Sequence, residues 1–322
     1  MRSTVAIEPE GANIEPIETA SRLIGALRRT VKLRANSAII TLFGDAVLPR
    51  GGNIWLGSLI ALAASLGVAE RQVRTGVYRL SQQGWLTSRS RGRRAFYALT
   101  RPGLEKFHDA QRRIHASEPV AWDGEWLLVQ LPTDLAAAKR LSLRRELGWL
   151  GFGRIGPSLF ANPSKQTDAV SRTLARHRMS ARSLVFRARL ADTVTTAHVR
   201  EIVATAWKLD ALNRDYGRFL KTFRPAAEAL QCGLKLGDED AFVLRILLIH
   251  DYRRRLLKDP VLPDPLLPAD WQGAAARDLT LGLYRRVSAA ADRHLVANLE
   301  TYSGKIPALD AAYWQRFGGL PR

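Results

Sequence analysis

The strongest constraint on this chain lies in residues 68–100, which read VAERQVRTGVYRLSQQGWLTSRSRGRRAFYALT. The first half predicts an amphipathic helix over residues 69–83, with Val73, Val77 and Leu80 on its buried face. The second half alternates in polarity on both sides of a glycine, as a β-hairpin does, and its tip reads SRSRGRR. A helix followed by a basic hairpin is typical of a winged helix-turn-helix, in which the helix enters the major groove and the hairpin contacts the adjacent DNA backbone.

The exposed face of the predicted helix and the hairpin tip are both rich in arginine. Arginine pairs in bidentate fashion with guanine or with phosphate, while threonine and tyrosine reach bases or the backbone. A solvated basic face is the alternative, but arginines on two successive elements favour DNA contact over it. The expected DNA-binding residues are Arg71, Gln72, Arg74, Thr75, Tyr78, Arg79, Arg89, Arg91, Arg93 and Arg94.

Charge is concentrated in the same part of the chain. The full sequence of 322 residues has 49 Lys and Arg against 30 Asp and Glu, a formal net charge of +19. Residues 32–103 contain 11 Lys and Arg and only two acids, Asp45 and Glu70. A strongly basic balance favours a polyanionic partner such as nucleic acid, or an acidic ligand.

The single cysteine, Cys232, excludes an internal disulfide and is consistent with a reducing compartment. Because it lies in the apolar run EALQCGLKL, we expect a buried structural thiol. No apolar stretch has the length of a signal peptide core or of a membrane span. The sequence therefore predicts a soluble cytoplasmic protein without a membrane partner.

An α+β protein is expected. Strand, helix, strand, helix and strand patterns follow one another from Trp122, which approximates a ferredoxin-like α/β unit, and helical patterns dominate after it. The predicted segments are a partly disordered leader (1–31) with a helix from about Ser21, a winged helix-turn-helix domain (32–103), a linker helix (104–121), a ferredoxin-like domain (122–192) and a mainly helical C-terminal domain (193–322).

A second basic cluster, HDYRRR, occupies residues 250–255. It is either a helix end whose cations favour the C-terminal dipole or a site for a phosphate or another acidic ligand. No further metal ligand stands at a useful spacing from His250 and Asp251, so no metal site is predicted. The tryptophans after residue 120 either pack in the core or line a pocket for an aromatic ligand. Motifs such as GxSxG and the P-loop are missing, so neither catalytic residues nor a cofactor are predicted.

Four long segments carry a resemblance to a known family: LFGDAVLPRGGNIWLGSLIALAASLGVAERQVRTGVYRLSQQGWLTSRSRGRRAFYAL, WDGEWLLVQLP, LRRELGWLGFGRIGPSLFANP and IHDYRRRLLKDPVLPDPLLPADWQG. In this order they strongly resemble the phenylacetic acid catabolon repressor (PaaX) family, over about residues 32 to 300. The resemblance implies a homodimeric repressor of an aromatic-acid catabolic operon. It also implies release from a palindromic operator by an acyl-coenzyme A effector, typically phenylacetyl-coenzyme A.

The resemblance places the reader helix at residues 70–84 and the wing at residues 88–95. It assigns dimerisation to the ferredoxin-like domain and effector sensing to the C-terminal domain. The phosphates of an acyl-coenzyme A suit a basic pocket, and its aryl group suits an aromatic wall. The expected effector-binding residues are His250, Arg253, Arg254 and Trp271.

Two alternatives remain open at this point. The central domain also resembles the small CRISPR-associated ferredoxin-like nuclease, which carries an aspartate at the end of its first strand. Here Leu131 and Pro132 occupy that place and Asp134 lies beyond it, which disfavours a metal-dependent nuclease. The other alternative is a DNA-binding protein that responds to no effector.

Overall fold

The computed structural model of the chain describes residues 16–105, 107, 122–163, 167–191 and 193–320. Its helices are α1 (Pro16–Thr30), α2 (Ala35–Leu42), α3 (Leu56–Ser65), α4 (Glu70–Gln82), α5 (Ala137–Trp149), α6 (Thr167–Arg176), α7 (Thr196–Trp207), α8 (Leu209–Gln231), α9 (Asp238–Leu256), α10 (Gly273–Asn298) and α11 (Ala311–Trp314). Its strands are β1 (Asn53–Trp55), β2 (Leu86–Arg91), β3 (Arg94–Leu99), β4 (Glu125–Gln130), β5 (Gly153–Arg154), β6 (Leu159–Asn162) and β7 (Leu184–Arg189). The fold is a mixture of helix and sheet, as predicted.

The N-terminal unit runs from α2 to β3 and places three helices beside a three-stranded sheet of order β1-β3-β2. Both strand pairs are antiparallel. Gly67 turns the chain between α3 and α4 at φ +79°, and Gly92 makes the hairpin turn at φ +58°. Only glycine enters this region without strain. Val73, Val77 and Leu80 of α4 are buried, as their spacing predicts.

α1 precedes this unit and packs into its core. Proline at the first position of a helix costs no hydrogen bond, and its fixed φ suits the first turn, so the helix begins at Pro16 rather than near Ser21. Ile24 and Leu27 are only 1% and 3% exposed and join the cluster that contains α2 and α9. The apolar residues of this short segment therefore contribute to the core.

Two predicted segments lie partly outside the described residues. The 1–31 leader is described from residue 16 onward, and there the chain forms a packed helix that begins five residues before the expected start near Ser21. The 104–121 linker helix is described only at residues 104, 105 and 107, which are helical. Phe107 is buried edge-on against Trp85, with 6.1 Å between ring centroids, so this segment begins against the N-terminal unit.

The central part of the chain forms a four-stranded antiparallel sheet of order β5-β6-β4-β7. The succession of strand, helix, two strands, helix and strand is that of the predicted ferredoxin-like unit. Pattern reading missed β5 because a two-residue strand has no detectable alternation. Leu127 and Val129 of β4 pack with Leu143 and Leu147 of α5 in a separate hydrophobic core.

The N-terminal unit and the C-terminal helices, which were predicted as separate domains, share one hydrophobic core. α9 lies at its centre, and residues 241–252 of this helix are all buried. A helix that is buried on every side needs neighbours all around it. α1 and α2 contact it from the N-terminal half of the chain, and α8 and α10 from the C-terminal half. Within the part of the chain that the structure describes, no helix has both the length and the apolar character needed to cross a membrane.

Cys232 is exposed, so the prediction of a buried thiol is wrong. It stands one residue beyond the end of α8, and Gly233 then turns the chain at φ +93°. The apolar run around it therefore spans a helix end and a turn. Its leucines and its cysteine consequently do not share one buried face.

The carboxylate of Asp45 joins the N-terminal unit to the C-terminal helices. Its Oδ2 accepts a hydrogen bond from Nε of Arg245 at 2.7 Å, and its Oδ1 lies 3.1 Å from Nη1 of Arg316. The Tyr284 hydroxyl donates to Oδ1 at 2.9 Å. Both arginines and the aspartate are at most 4% exposed. Asp45 itself lies in a π-helical turn, residues 43–47, which directly extends α2.

Asp45→Asn should lower the free energy of unfolding by about 3–5 kcal/mol, because it leaves two buried guanidinium groups without a counter-charge. Urea denaturation followed by circular dichroism measures this change. The matched control is Asp134→Asn, which removes an exposed ion pair with Arg182 and should cost about 1 kcal/mol or less. Similar small losses in the two variants would contradict the role given to Asp45.

Candidate nucleic-acid interface

The predicted DNA-binding residues of α4 lie on a single solvent face. Val73, Gly76, Val77 and Leu80 point into the core, and the remaining positions between them are exposed. Tyr78 is 65% exposed, which is unusual for a large aromatic side chain. The six residues on this face are Arg71, Gln72, Arg74, Thr75, Tyr78 and Arg79.

Three of these side chains also serve the helix itself. The Ala69 amide donates to Oε1 of Gln72 at 3.1 Å, which caps the helix N-terminus. Arg74 forms an ion pair with Glu70 one turn earlier, with its Nη2 2.7 Å from Oε1. Thr75 donates its hydroxyl to the Arg71 carbonyl at 2.9 Å. Gln72 therefore fixes the start of the helix, a role that the sequence prediction did not give it.

Gly76 sets how closely α4 approaches α2, and the sequence prediction missed it. A Cβ atom at this position would stand 2.7 Å from Cδ1 of Ile39 and 3.0 Å from Oδ1 of Asn36. A larger residue at this position would therefore require the end of the Ile39 side chain to shift. Because α2 is packed against both α4 and α9, it connects the exposed face to the C-terminal helices.

The hairpin of β2 and β3 presents the other predicted arginines. Arg91 and Arg94 face each other across the strands on either side of the turn, and Arg89 pairs with Phe96. Arg89, Arg91, Arg93 and Arg94 are all exposed. The hairpin therefore exposes four arginines directly after those of α4 in the chain.

The segment that follows α10 holds this hairpin in place. Arg94 forms an ion pair with Glu300, and Arg91 donates to the carbonyl of Tyr302 at 2.9 Å. The guanidinium of Arg89 lies over the Tyr302 ring, 5.4 Å from its centroid. Residues 300 and 302 gave no sequence signal, since one acid and one tyrosine after a helix have many roles. Three of the four hairpin arginines thus contact the C-terminal part of the chain.

Backbone contacts strengthen the same attachment. The amide of Trp55 donates to the Glu300 carbonyl at 2.9 Å, and the amide of Tyr302 donates to Oδ1 of Asn53 at 2.6 Å. The Tyr302 ring also packs edge-on against Phe96. Residues 300–302, which we call the strap, are thereby attached to both β1 and the β2–β3 hairpin.

The residues expected to bind an effector do not form one pocket. His250 is 1% exposed and its Nδ1 lies 3.2 Å from Oγ1 of Thr41, so it is buried between α9 and α2. Trp271 packs edge-on against Tyr216, with 5.6 Å between centroids, at the junction of α8 and α10. No described contact joins Trp271 to Arg253 or Arg254. In the described structure the four residues therefore do not line one common site.

The buried ring of His250 is neutral. Burial, together with the charges of Arg253 and Arg254, lowers its pKa to about 3. A neutral imidazole that is enclosed by two helices cannot act as a surface cation toward an anionic ligand. A direct contact of His250 with an effector stays a prediction, and the contact that the structure shows for its ring is the one with Thr41.

The site expected for a nuclease is absent from the described part of the central domain. Asp134 is 69% exposed, and both of its oxygens accept hydrogen bonds from Arg182, at 2.8 and 2.6 Å. Among the described residues, no group of three His, Cys, Asp or Glu side chains stands close enough to hold a metal ion. The described residues therefore offer no arrangement that favours metal-dependent hydrolysis.

Comparison with known proteins finds similarity along most of the chain. Three family models match in order: the PaaX-like protein at residues 34–103, the PaaX protein central Cas2-like domain at 119–203, and the PaaX-like protein C-terminal domain at 207–297. The chain is also 41% identical over 291 residues to the transcriptional repressor PaaX of Escherichia coli (strain K12), which covers 90% of this chain and 92% of that protein. The chain belongs to the PaaX family.

The first PaaX model begins at residue 34 and thus leaves out α1, although this helix contributes to the shared core. The PaaX central model includes the whole four-stranded sheet. A solved structure, the uncharacterized protein Rv0674 from Mycobacterium tuberculosis, matches 72% of this chain and 89% of its own at 23% identity, with a TM-score of 0.46. At this level of similarity the solved structure does not bear on the fold or the function of this PaaX-family chain.

The buried histidine gives a test by pH. The pKa of His250 is about 3 in the folded protein and about 6.5 in the unfolded chain, so the unfolded chain binds more protons between these values. Stability is therefore complete above pH 6.5 and falls as the pH decreases, by about 2 kcal/mol at pH 5. His250→Gln should remove this part of the pH dependence in urea denaturation between pH 5 and 7.5. The exposed His198→Gln is the control, and a slope shared by all three proteins would refute the interpretation.

Proposed function

We propose that this chain is a transcriptional repressor that binds operator DNA through a winged helix-turn-helix formed by its N-terminal unit. The observation that carries the proposal is the exposure of arginines on both α4 and the β2–β3 hairpin, two consecutive elements that share one core with the C-terminal helices. The identity with a protein named as a transcriptional repressor supports the same function. In this role α4 enters the major groove and the hairpin lies along the neighbouring backbone.

Base and backbone contacts divide between these two elements. Arg71 and Arg79 on α4 have the length and planar donors for bidentate pairing with guanine, while Tyr78 reaches the backbone or an apolar base edge. The arginines of the hairpin suit phosphates, which position a protein on DNA without reading sequence. Affinity should consequently fall steeply as the salt concentration rises.

The central sheet supports a homodimer. β7 is an edge strand, and Leu184, Val185 and Phe186 on it are 58%, 38% and 46% exposed. Exposed apolar residues on an edge strand favour association with a second chain. Two copies related by a twofold axis would present two α4 helices to a palindromic operator, at half-sites that are a whole number of helical turns apart.

Release from DNA would follow from an effector that binds one conformer of the dimer more tightly than another. An acyl-coenzyme A such as phenylacetyl-coenzyme A, from an operon for phenylacetate breakdown, is the proposed effector. The contacts of Asp45 and of Glu300 support this mechanism because they couple the DNA-binding surface to the C-terminal helices. A rearrangement of those helices would alter the distance between the two α4 helices of the dimer.

The reading surface can be tested with a double variant. Arg74→Ala with Arg79→Ala should weaken operator binding at least about 30-fold, since each lost arginine contact is worth about 1–3 kcal/mol. Fluorescence anisotropy with labelled operator DNA measures the affinity at fixed salt. The control with the same loss of charge is Arg144→Ala with Arg145→Ala on the exposed side of α5, which should retain the affinity of the unmodified protein. Equal affinities for the two double variants would contradict the proposed role of the exposed α4 face in DNA binding.

The effector can be tested by a gel-shift titration of the protein–operator complex. Phenylacetyl-coenzyme A should release the DNA at micromolar concentration, while free phenylacetate, which has no phosphates, should not. Release by phenylacetate alone would assign the effector to the free acid. An operator complex that no thioester disrupts would support an effector-independent DNA-binding protein instead.

A further inference from the structure

The last turn of α9 contains three consecutive arginines, and their surroundings differ sharply. Arg255 is paired with Asp251, with 2.6 Å between Nη1 and Oδ1, and its Nε donates to the Asp215 carbonyl at 2.7 Å. Arg245, further back on the same helix, is paired with Asp45. These two arginines follow the rule that a buried cation has a carboxylate partner.

Arg253 does not follow this rule. Its side chain is partly buried, and among the described residues its Nη2 donates to a neutral group, the Ser37 hydroxyl, at 3.2 Å. Its buried Nε has no hydrogen-bond partner, and no described carboxylate lies within ion-pair distance of the group. Burial and the charge of Arg254 lower the pKa of Arg253 to about 10. A partly buried guanidinium that has no counter-charge and one buried, unused donor destabilises the folded protein unless an anion binds to it.

The neighbours of Arg253 are also positive. Ser37 lies in the first turn of α2, and the N-cap of this helix, Arg34, provides no side-chain hydrogen bond. The N-terminus of α2 therefore adds a partial positive charge. Lys32 and Arg34 are exposed just before the helix, and Arg254 is exposed on α9. We name this group the α2–α9 cation cluster: Lys32, Arg34, Ser37, Arg253 and Arg254.

We propose that the α2–α9 cation cluster binds the diphosphate or phosphate-ester group of a small-molecule ligand. Guanidinium groups and helix N-termini both bind phosphate favourably, and here they lie next to each other. Because Arg253 lies between two packed helices, it suits a small anion better than the backbone of duplex DNA. The assignment of this ligand to an acyl-coenzyme A rests on the proposed function.

The position of the cluster explains how the binding of such a ligand would affect the proposed DNA-binding surface. α2 contacts the cluster through Ser37 and contacts α4 through Asn36 and Ile39, which lie against Gly76. These residues occupy adjacent turns of one short helix. An anion that draws the start of α2 toward α9 thus acts on the same helix that supports α4, and ligand and DNA affinities are coupled.

The site itself is tested with inorganic pyrophosphate and the full-length chain. Pyrophosphate at millimolar concentration should raise the Tm of the unmodified protein by several degrees, and Arg253→Gln should abolish the rise. Without ligand, the Tm of Arg253→Gln should equal or exceed that of the unmodified protein, because a buried unpaired charge is removed. A merely structural arginine would instead lower it. Arg145→Gln, with the same loss of charge on α5, should keep the full response.

The identity of the ligand is tested by calorimetry with phenylacetyl-coenzyme A. Arg253→Gln should raise its Kd by about tenfold or more, and the exposed Arg254→Gln by about threefold, while operator affinity without ligand changes less than twofold. If pyrophosphate protection depends on Arg253 but phenylacetyl-coenzyme A does not bind, the proposed effector fails and the anion site stands.

Three results would overturn the site. The first is an unmodified protein that pyrophosphate does not stabilise, and the second is equal stabilisation of the unmodified protein and Arg253→Gln. The third is a loss of operator affinity in Arg253→Gln with unchanged ligand binding, which would make Arg253 a DNA backbone contact. Arg254→Gln, whose side chain is exposed, provides the same comparison if Arg253→Gln does not fold.

Discussion

The structure depends on a single buried carboxylate. Asp45 stands at the end of the helix that supports α4 and holds arginines from two distant parts of the chain, Arg245 and Arg316. Charges at this depth are stable only as a complete group, because the loss of any member leaves the others unpaired. The proposed DNA-binding surface is therefore built on the C-terminal helices rather than beside them. A movement of the C-terminal helices would therefore act on the base of α4 directly, through these contacts.

Local patterns predicted the elements whose chemistry is local. The three-and-four spacing of Val73, Val77 and Leu80 defined α4, and the alternation around Gly92 defined the hairpin, since helix and strand periods need only neighbouring residues. The exposed side chains of the proposed DNA-binding surface followed from the same periodicity. The strands of the central sheet were predicted for the same reason, with the exception of the two-residue β5.

Contacts between distant segments could not be predicted in this way. Nothing in the neighbourhood of Asp45 distinguishes a buried acid with two arginines from an ordinary surface acid. Likewise, Glu300 and Tyr302 follow a helix end without any pattern that relates them to the hairpin 200 residues earlier. His250 and Arg253 belong to one basic run in the sequence, yet the helix directs one into the core and the other toward the start of α2. The environment of each side chain is decided by packing, which a single sequence does not reveal.

The strap that binds the hairpin has a thermodynamic consequence for the proposed function. Arg94 already has an anionic partner in Glu300, so a DNA phosphate that takes its place exchanges one ion pair for another. Little electrostatic energy is gained in such an exchange. What remains favourable is the entropy of the metal ions that leave the DNA when its phosphate is neutralised. Arg94 would thus favour DNA binding through the ions that it displaces from the phosphate, more than through the ion pair that it forms.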